Sequence, residues 1–196
     1  MHKLCMIGTG YVGLVSGVCF ADLGNKVICV DQDKNKIDKL RKGISPIYEP
    51  GLDEILKKNI RDDRIEFTSN LKEAVKKSDI IFLCVGTPNK KNSLDVNLSF
   101  VFKAVKEVIK NINSKKIIVT KSTVPVGTGD QIEKLIKKKK AYVISNPEFL
   151  REGEAIRDFR YPDRVVIGSN DKYSGSVMRS LYQPLISKGA KFYLTN

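Results

Sequence analysis

The stretch Leu4-Cys5-Met6-Ile7-Gly8-Thr9-Gly10-Tyr11-Val12-Gly13 decides the fold of this chain. Its apolar beginning predicts a buried strand, its glycines predict a tight turn, and the residues from Tyr11 to about Leu23 predict a helix. Gly8 allows the sharp turn, Gly10 lets the backbone approach a pyrophosphate without a Cβ in the way, and Gly13 lets the helix pack closely on the strand. The N–H groups and the positive end of such a helix bind phosphates.

A second apolar run, Val27-Ile28-Cys29-Val30, ends in Asp31, which lies 18 residues after Gly13. That spacing suits a carboxylate that accepts hydrogen bonds from the ribose hydroxyls of a dinucleotide. Asp31 also favours NAD over NADP, because a 2′-phosphate would face its negative charge. Lys36 could reduce that repulsion, although a lysine on an early helix turn is more often solvated. The alternative is an ordinary tight turn with an acidic strand end, but the strand, turn, helix and acid together favour a dinucleotide site.

Segments with the character of strands and helices alternate along the chain, without a repeat or a Pro/Gly-rich linker. The pattern predicts one α/β domain over residues 1–196, a Rossmann-type, doubly wound and largely parallel sheet with helices on both faces. The predicted strands are Lys3 to Ile7, Lys26 to Asp31, Ile65 to Thr68, Asp79 to Val85, Lys116 to Lys121, Ala141 to Ser145, Arg164 to Gly168 and Lys191 to Leu194. The predicted helices are Tyr11 to Leu23, Lys34 to Lys42, Leu52 to Asn59, Leu71 to Lys77, Leu98 to Ile112, Thr128 to Lys139 and Lys172 to Leu181.

The composition restricts the classes of function. Hydrophobic residues make up 41% of the chain and charged residues 29%, as in globular proteins. The net charge of +13 invites a nucleic-acid interpretation. However, the lysines are spread over predicted helix faces, as in Lys57-Lys58, Lys76-Lys77 and Lys137 to Lys140, without interleaved aromatic residues. We therefore predict a solvated surface and no nucleic-acid partner. No apolar run is long enough to span a membrane, which predicts a cytoplasmic protein without a membrane partner.

The four cysteines, Cys5, Cys19, Cys29 and Cys84, all lie in apolar runs without a CxxC motif or a Cys/His cluster. This pattern is typical of small buried side chains and predicts no metal site. Cys84 lies near the carboxyl end of a predicted strand, where pockets form, so a chemical role stays open for it. His2 is the only histidine and lies at the terminus, which argues against acid-base catalysis by histidine.

Polar segments follow several predicted strands at the edge of the sheet where ligands bind. Hydroxyls and backbone donors occur in Gly86-Thr87-Pro88 and in Ser122-Thr123-Val124-Pro125-Val126-Gly127-Thr128. Ordinary turns would also explain both. An acidic segment, Asn146 to Gly153, follows a later strand. If Glu148 begins a helical turn, Glu152 lies on the same face with Arg151 between them to balance their charge, an arrangement that suits base catalysis or binding of a polar substrate.

These motifs, taken in order, resemble those of UDP-glucose 6-dehydrogenases, in the UDP-glucose/GDP-mannose dehydrogenase family. The resemblance spans essentially the whole chain. It rests on Gly8 to Gly13, Ile47-Tyr48-Glu49-Pro50-Gly51-Leu52, Gly86-Thr87-Pro88, Ser122 to Thr128, Asn146 to Glu152, and Tyr161-Pro162-Asp163-Arg164-Val165-Val166-Ile167-Gly168. A smaller departure from the family's pattern lies in Asn89 to Leu98.

The resemblance implies a reaction and a set of site residues. The reaction is the four-electron oxidation of the C6 alcohol of a UDP-sugar to a carboxylate by two NAD. The implied catalytic residues are Thr123, which helps to hold a water, and Glu148 and Glu152. The implied NAD site is Gly8, Gly10, Tyr11, Val12, Gly13, Asp31, Lys36, Thr87, Thr123 and Glu152. The implied substrate contacts are Glu148, Phe149, Leu150, Arg151 and Glu152.

Some parts of the family's pattern do not occur in this sequence. The resemblance implies a nucleophilic cysteine in a glycine-rich segment, and a lysine and an asparagine on a long central helix. The sequence ends about where that helix would begin. We therefore expect the N-terminal, NAD-binding half of an enzyme that is a homodimer when intact, without the UDP-sugar-binding domain and inactive on its own. A GDP-mannose or UDP-N-acetyl amino sugar dehydrogenase and a non-catalytic NAD-binding module remain as alternatives.

Overall fold

The computed structural model describes residues 1–90, 95–136 and 141–196 of the chain. In this part of the chain, strands and helices alternate except after the second strand, where two helices follow one another. The strands are β1 (Lys3–Ile7), β2 (Lys26–Val30), β3 (Ile65–Thr68), β4 (Ile80–Leu83), β5 (Lys116–Thr120), β6 (Ala141–Ser145), β7 (Arg164–Gly168) and β8 (Lys191–Thr195). The helices are α1 (Tyr11–Asp22), α2 (Lys34–Arg41), α3 (Leu52–Arg61), α4 (Leu71–Lys77), α5 (Ser99–Asn111), α6 (Thr128–Ile136), α7 (Ala155–Arg160) and α8 (Lys172–Ile186).

The strands form one sheet in the order β3-β2-β1-β4-β5-β6-β7-β8. Neighbouring strands from β3 to β6 are parallel, and so are β7 and β8. Strand β7 is antiparallel to β6 and pairs with it only through Ser145 and Gly168. The prediction of a largely parallel, doubly wound sheet is therefore confirmed.

Alternate side chains of the strands enter two separate cores, one on each face of the sheet. Leu4 and Met6 of β1 pack into the core that is covered by α1, α2, α3, α7 and α8. Cys5 and Ile7 point to the opposite core, which α4, α5 and α6 cover. Because the central strands are buried on both faces, their sequences read as continuous apolar runs. This burial holds the carboxyl ends of β1, β2 and β4 at one edge of the sheet.

The glycine turn joins β1 to α1 by a close backbone approach. Gly8 has a φ of 99°, a left-handed conformation that L side chains rarely adopt. A Cβ at Gly13 would lie 1.9 Å from the carbonyl oxygen of Gly8 and 3.0 Å from the Cβ of Cys84. Helix α1 therefore begins directly against the ends of β1 and β4.

The structure extends one predicted helix and adds one helix that was not predicted. The helix predicted to end at Leu181 continues as α8 to Ile186, with Pro184 inside its last turns. Helix α7, Ala155–Arg160, was not predicted from the sequence. The helix predicted from Thr128 to Lys139 is described to Ile136, and residues 137–140 lie outside the described residues, as do residues 91–94 of the departing Asn89 to Leu98 segment. Of the helices described, none is both long and apolar enough to cross a bilayer.

The close contact at Gly13 leads to a prediction about stability. Gly13→Ala is expected to lower the free energy of unfolding by about 3 kcal/mol or more, because the new Cβ collides with backbone that cannot move without shifting β1. Urea unfolding followed by circular dichroism measures the change.

Gly10→Ala is the matched control in the same turn. A Cβ at Gly10 meets no atom within 4 Å, and its φ of −72° suits alanine. Its free energy of unfolding should stay within about 1 kcal/mol of the unaltered chain. Equal losses in both variants would contradict the close packing at Gly13.

Candidate functional site

The main candidate site is a cavity of about 480 Å³ at the carboxyl ends of β1, β2 and β4. It lies where the strand order reverses, since β1 has β2 on one side and β4 on the other. In doubly wound sheets ligands bind in this crevice. The lining residues include Gly8, Gly10, Asp31, Lys36, Val85, Gly86, Phe100 and Lys103. Four of the residues predicted for the cofactor site are thus together in one cavity.

Asp31 is held in place before any ligand arrives. Its Oδ2 accepts hydrogen bonds from the Thr9 N–H at 3.0 Å and the Thr9 hydroxyl at 2.7 Å, and it pairs with the Lys36 Nζ at 3.1 Å. Its Oδ1 accepts from the Asp33 N–H at 3.1 Å. Burial alone would raise the pKa of Asp31, but these donors hold its pKa at about 2. The carboxylate is therefore fully ionised at neutral pH, and Lys36 is paired with it rather than only solvated.

The other residues predicted for the cofactor lie around the turn. Tyr11 and Val12 are half-buried at the start of α1, and Gly13 is buried beneath them. Thr87 is half-buried and follows Gly86 at the cavity. Thr123 is exposed and lines a different cavity of about 400 Å³, which it shares with Pro147 and Ser169.

The acidic segment after β6 is not a helical turn, so the interpretation of Glu148 and Glu152 as neighbours on one helix face is wrong. Glu148 turns back on its own backbone, where its Oε2 accepts a hydrogen bond of 2.6 Å from the Leu150 N–H. Glu152 is exposed and forms no hydrogen bond with the described residues. A local side-chain bond to the backbone here competes with helix formation.

The sequence pattern had predicted that Arg151 balances the charges of Glu148 and Glu152. In the structure it pairs with other acidic residues. Its Nη2 lies 2.7 Å from both Glu154 and Asp158, and its Nε donates to Asp158 at 3.1 Å. The partners come from the start and the middle of the unpredicted α7. Phe149 is half-exposed with the Arg164 guanidinium 4.7 Å from its ring centre, and Leu150 is half-buried.

Glu148 lines a small cavity of about 40 Å³ together with Lys121 and Asn146. Lys121 is only 4% exposed, and its side chain has neither a hydrogen bond nor an ion pair with the described residues. Burial lowers the pKa of Lys121, while Cys84 and Glu148 act to raise it. The Lys121 side chain therefore shares this cavity with the predicted catalytic carboxylate.

A buried hydrogen-bond cluster connects the glycine turn to the acidic segment. The Gly153 N–H donates to the Tyr11 Oη and to the Glu49 Oε2, both at 2.8 Å. The Tyr11 hydroxyl donates to the same carboxylate oxygen. Burial and this bond raise the pKa of Tyr11 to about 12, so the phenol keeps its proton and stays a donor. The Tyr11 hydroxyl also lies 3.4 Å from the Arg151 carbonyl oxygen, so a residue predicted for the cofactor and one predicted for the substrate share this network.

Thr9, Glu49 and Lys121 are functional candidates that the sequence interpretation missed. Thr9 is the variable residue between two fingerprint glycines, and nothing local marks it as the partner of Asp31. Glu49 lies in the Ile47 to Leu52 loop, where its charge beside apolar residues was an available signal. Lys121 directly follows a run of buried strand residues, and this position was a signal that its side chain would be buried.

The thiols and acidic groups offer no other obvious chemistry. All four cysteines are buried and free, and burial raises the pKa of each thiol, to about 12 in Cys19 and Cys84. Among the residues that the structure describes, no group of three or more His, Cys, Asp and Glu side chains could hold a metal ion.

The cavity fits a dinucleotide. A Cβ at Gly10 would meet nothing within 4 Å, which leaves open space beside the first N–H groups of α1 for a pyrophosphate. The Asp31 carboxylate is fixed at the end of the neighbouring strand, where dinucleotide-binding folds of this type accept the ribose hydroxyls. A crevice of this chemistry at this place in the sheet defines a dinucleotide-binding domain of the Rossmann type.

Comparison with known proteins identifies the family. Residues 2–186 match the NAD binding domain of the UDP-glucose/GDP-mannose dehydrogenase family, and the chain belongs to that family. It is 51% identical over 189 residues to a UDP-glucose 6-dehydrogenase of Rhizobium meliloti and 48% identical to the TuaD enzyme of that name from Bacillus subtilis. These alignments cover 93% and 94% of the chain, but only 43% and 41% of the relatives' length.

Solved structures give the same result. A UDP-glucose dehydrogenase from Pyrobaculum islandicum superposes with a TM-score of 0.93 at 36% identity, over the whole chain and 46% of that structure. A GDP-mannose dehydrogenase from Pseudomonas aeruginosa superposes with a TM-score of 0.91 at 36% identity, over 99% of the chain and 46% of that structure. The chain thus spans less than half the length of the relatives it matches, and its cofactor is NAD.

The network around Asp31 predicts how its replacement acts. Asp31→Asn is expected to weaken NAD binding about tenfold, equivalent to about 1.4 kcal/mol, because the ribose hydroxyls lose a charged acceptor. The affinity for NADP should rise relative to the affinity for NAD. Isothermal titration with both dinucleotides measures the two affinities. Asp53→Asn, an exposed acid of α3, is the control and should leave both unchanged.

The pKa of Asp31 fixes the pH dependence of the same substitution. A depressed pKa stabilises the folded chain at pH values above the ordinary value of 3.8, and this contribution is lost as the pH falls through about 2. The difference in free energy of unfolding between the unaltered chain and Asp31→Asn should therefore be constant from about pH 5 to about pH 8 and shrink below about pH 4. A difference that shrinks on going from pH 5 to pH 8 would contradict this assignment.

Proposed function

We propose that this chain is the NAD-binding half of a UDP-glucose 6-dehydrogenase, which oxidises the C6 alcohol of UDP-glucose to the carboxylate of UDP-glucuronate. The observation that carries the proposal is the pair of 2.8 Å hydrogen bonds from the Gly153 N–H, because they join the predicted substrate segment to the cofactor turn. Relatives between 43% and 51% identical to the chain bear the name of this enzyme.

The side chains are assigned roles from the family resemblance, and their positions support this assignment. The first N–H groups of α1 bind the pyrophosphate, and Asp31 accepts the ribose hydroxyls. NAD, when bound, accepts a hydride from the sugar carbon. Thr123 lies exposed at the neighbouring cavity, where it can hold a water for the second oxidation, and Glu148 is placed to take up or return a proton.

Lys121 supports the part of Glu148. Its side chain lines the same small cavity as Glu148, and the nearby carboxylate acts against the lowering of the Lys121 pKa by burial. Glu152 extends from the backbone beside Tyr11 and is the proposed contact of both NAD and sugar. Phe149, Leu150 and Arg151 complete the proposed substrate segment, with Arg151 fixed by its bonds to α7.

The oxidation of the alcohol to a carboxylate consumes water and two NAD, and it releases two NADH and protons. In the family that the sequence resembles, the second oxidation uses a nucleophilic thiol. The cysteines of this chain do not supply one, because burial raises the pKa of all four. We propose that the thiol, the remaining sugar contacts and the dimer interface belong to a further part of the intact enzyme, which acts in the cytoplasm.

A GDP-mannose or UDP-N-acetyl amino sugar dehydrogenase is the second candidate. It is favoured by the GDP-mannose dehydrogenase structure, whose identity to the chain, 36%, equals that of the UDP-glucose dehydrogenase structure. A non-catalytic NAD-binding module would retain the cavity but would not need Thr123, Glu148 or Glu152.

The chain alone is expected to bind one NAD and to release no NADH from UDP-glucose, because none of its thiols is available. Isothermal titration measures the binding, and the absorbance of reduced nicotinamide measures turnover with the sugar limiting and NAD in excess. Folded protein that does not bind NAD would contradict the assigned cofactor site. Release of two NADH per sugar would contradict the proposal that a further part of the enzyme supplies the thiol.

A chimera tests the catalytic residues and the sugar. In it, this chain replaces the matching segment of the Rhizobium meliloti relative. The chimera should release two NADH per UDP-glucose, and Glu148→Gln should lower kcat about 100-fold or more, because the amide cannot take up a proton. Glu54→Gln, exposed on α3, is the control. Unchanged turnover in Glu148→Gln would make Glu148 structural, and faster turnover of GDP-mannose would favour the second candidate.

A further inference from the structure

Glu49 is a buried carboxylate that is held by hydrogen bonds instead of a countercharge. It is 6% exposed, and it forms no ion pair with the described residues. Its Oε2 accepts from Tyr11 and from the Gly153 N–H at 2.8 Å, and its Oε1 accepts from the Ile156 N–H at 3.3 Å. Burying a carboxylate is costly unless it is fully hydrogen-bonded. The carboxylate oxygens of Glu49 thus accept hydrogen bonds from two segments, the cofactor turn and residues 153–156.

The bond from the Gly153 N–H has a geometric consequence for Glu152. That N–H belongs to the peptide group that links Glu152 to Gly153, and peptide groups are planar. Two acceptors 2.8 Å away, the Tyr11 Oη and the Glu49 Oε2, therefore fix the plane of this peptide. The φ of 87° at Gly153 fixes the turn that follows. The Glu152 side chain itself has no bond to the described residues, so the fixed peptide constrains its backbone and the direction of its Cα–Cβ bond.

We propose that Glu49 is a positioning residue that aims Glu152 at the bound NAD. The inference rests on the proposed role of Glu152 at the cofactor. Tyr11 contributes from the other side, because it offers the second acceptor to the Gly153 N–H while lying in the turn that binds the cofactor. Glu49 touches neither cofactor nor substrate in this proposal, and it acts through the backbone of Glu152.

A double-mutant cycle on the chain itself tests the proposal, with NAD affinity as the readout. Glu49→Gln has a single acceptor oxygen in place of two, so it cannot satisfy both Gly153 and Ile156. We expect it to weaken NAD binding about tenfold, and we expect the same substitution to change the affinity less than about twofold when Glu152 is already alanine. A merely structural role would give the same loss in both backgrounds.

The controls separate this inference from the proposed function. Urea midpoints verify that each variant is folded, and Glu54→Gln, which removes an exposed charge of α3, should bind NAD as the unaltered chain does. Tyr11→Phe replaces Glu49→Gln in the cycle if the latter does not fold. It keeps the carboxylate and removes one of the two acceptors, so a smaller loss with the same dependence on Glu152 is expected.

Each outcome has a defined meaning. Equal losses in the two backgrounds, or no loss on Glu49→Gln, overturn the positioning role and leave the proposed function intact. Failure of the unaltered, folded chain to bind NAD overturns the proposed function. Unaltered affinity in Glu152→Ala removes Glu152 from the cofactor site and overturns the inference with it.

Discussion

The structure depends on the approach of helix α1 to the ends of β1 and β4. At Gly13 the two backbones are so close that a Cβ would lie 1.9 Å from the Gly8 carbonyl oxygen. This contact sets the position of the helix start, and so of the N–H groups that face the cavity. It also sets where Tyr11 lies, and through Tyr11 it determines which peptide of the 146–153 segment meets the cofactor turn. The close contact at Gly13 therefore also influences the position of the 146–153 segment, through the hydrogen bond between Tyr11 and Gly153.

The fold could be predicted because its signals are local. Each central strand is a continuous apolar run, and the glycine spacing specifies a strand, a turn and a helix within ten residues. Helix α7 could not be found in this way, because six residues are too short for a helical period to show. Its formation depends on tertiary packing, since Phe159 meets Phe20 of α1 edge to face at 4.9 Å between ring centres. Helix α8 passes its predicted end because Tyr182 and Leu185 are buried, and packing outweighs the local effect of Pro184.

In the candidate site too, some residues could be predicted from local sequence signals and others depend on tertiary contacts. Gly8, Gly10 and Asp31 follow from spacing, because neighbouring parallel strands end at a common edge. The pairing of Arg151 with Asp158 could not be anticipated, since it requires α7, and the non-helical path at Glu148 arises from a bond to its own backbone. Glu49 comes from a loop more than a hundred residues away from Gly153 in sequence, and only the assembled fold brings the two together. The roles of Thr123, Glu148 and Glu152 remain proposals.

The junction of β6 and β7 has the shortest backbone pairing in the sheet. Strands β7 and β8 pair along their whole length, but β7 meets β6 only at Ser145 and Gly168. Asn146 reinforces the junction, donating to the Val166 carbonyl at 3.1 Å and accepting from the Tyr182 hydroxyl at 2.6 Å. With so little backbone ladder between them, the parallel block and the β7–β8 pair are also joined by side chains, those of Asn146 and of the core that β1, β7 and α8 share. The residues that line the cofactor cavity all precede β5 in the chain, so none of them comes from β7 or β8.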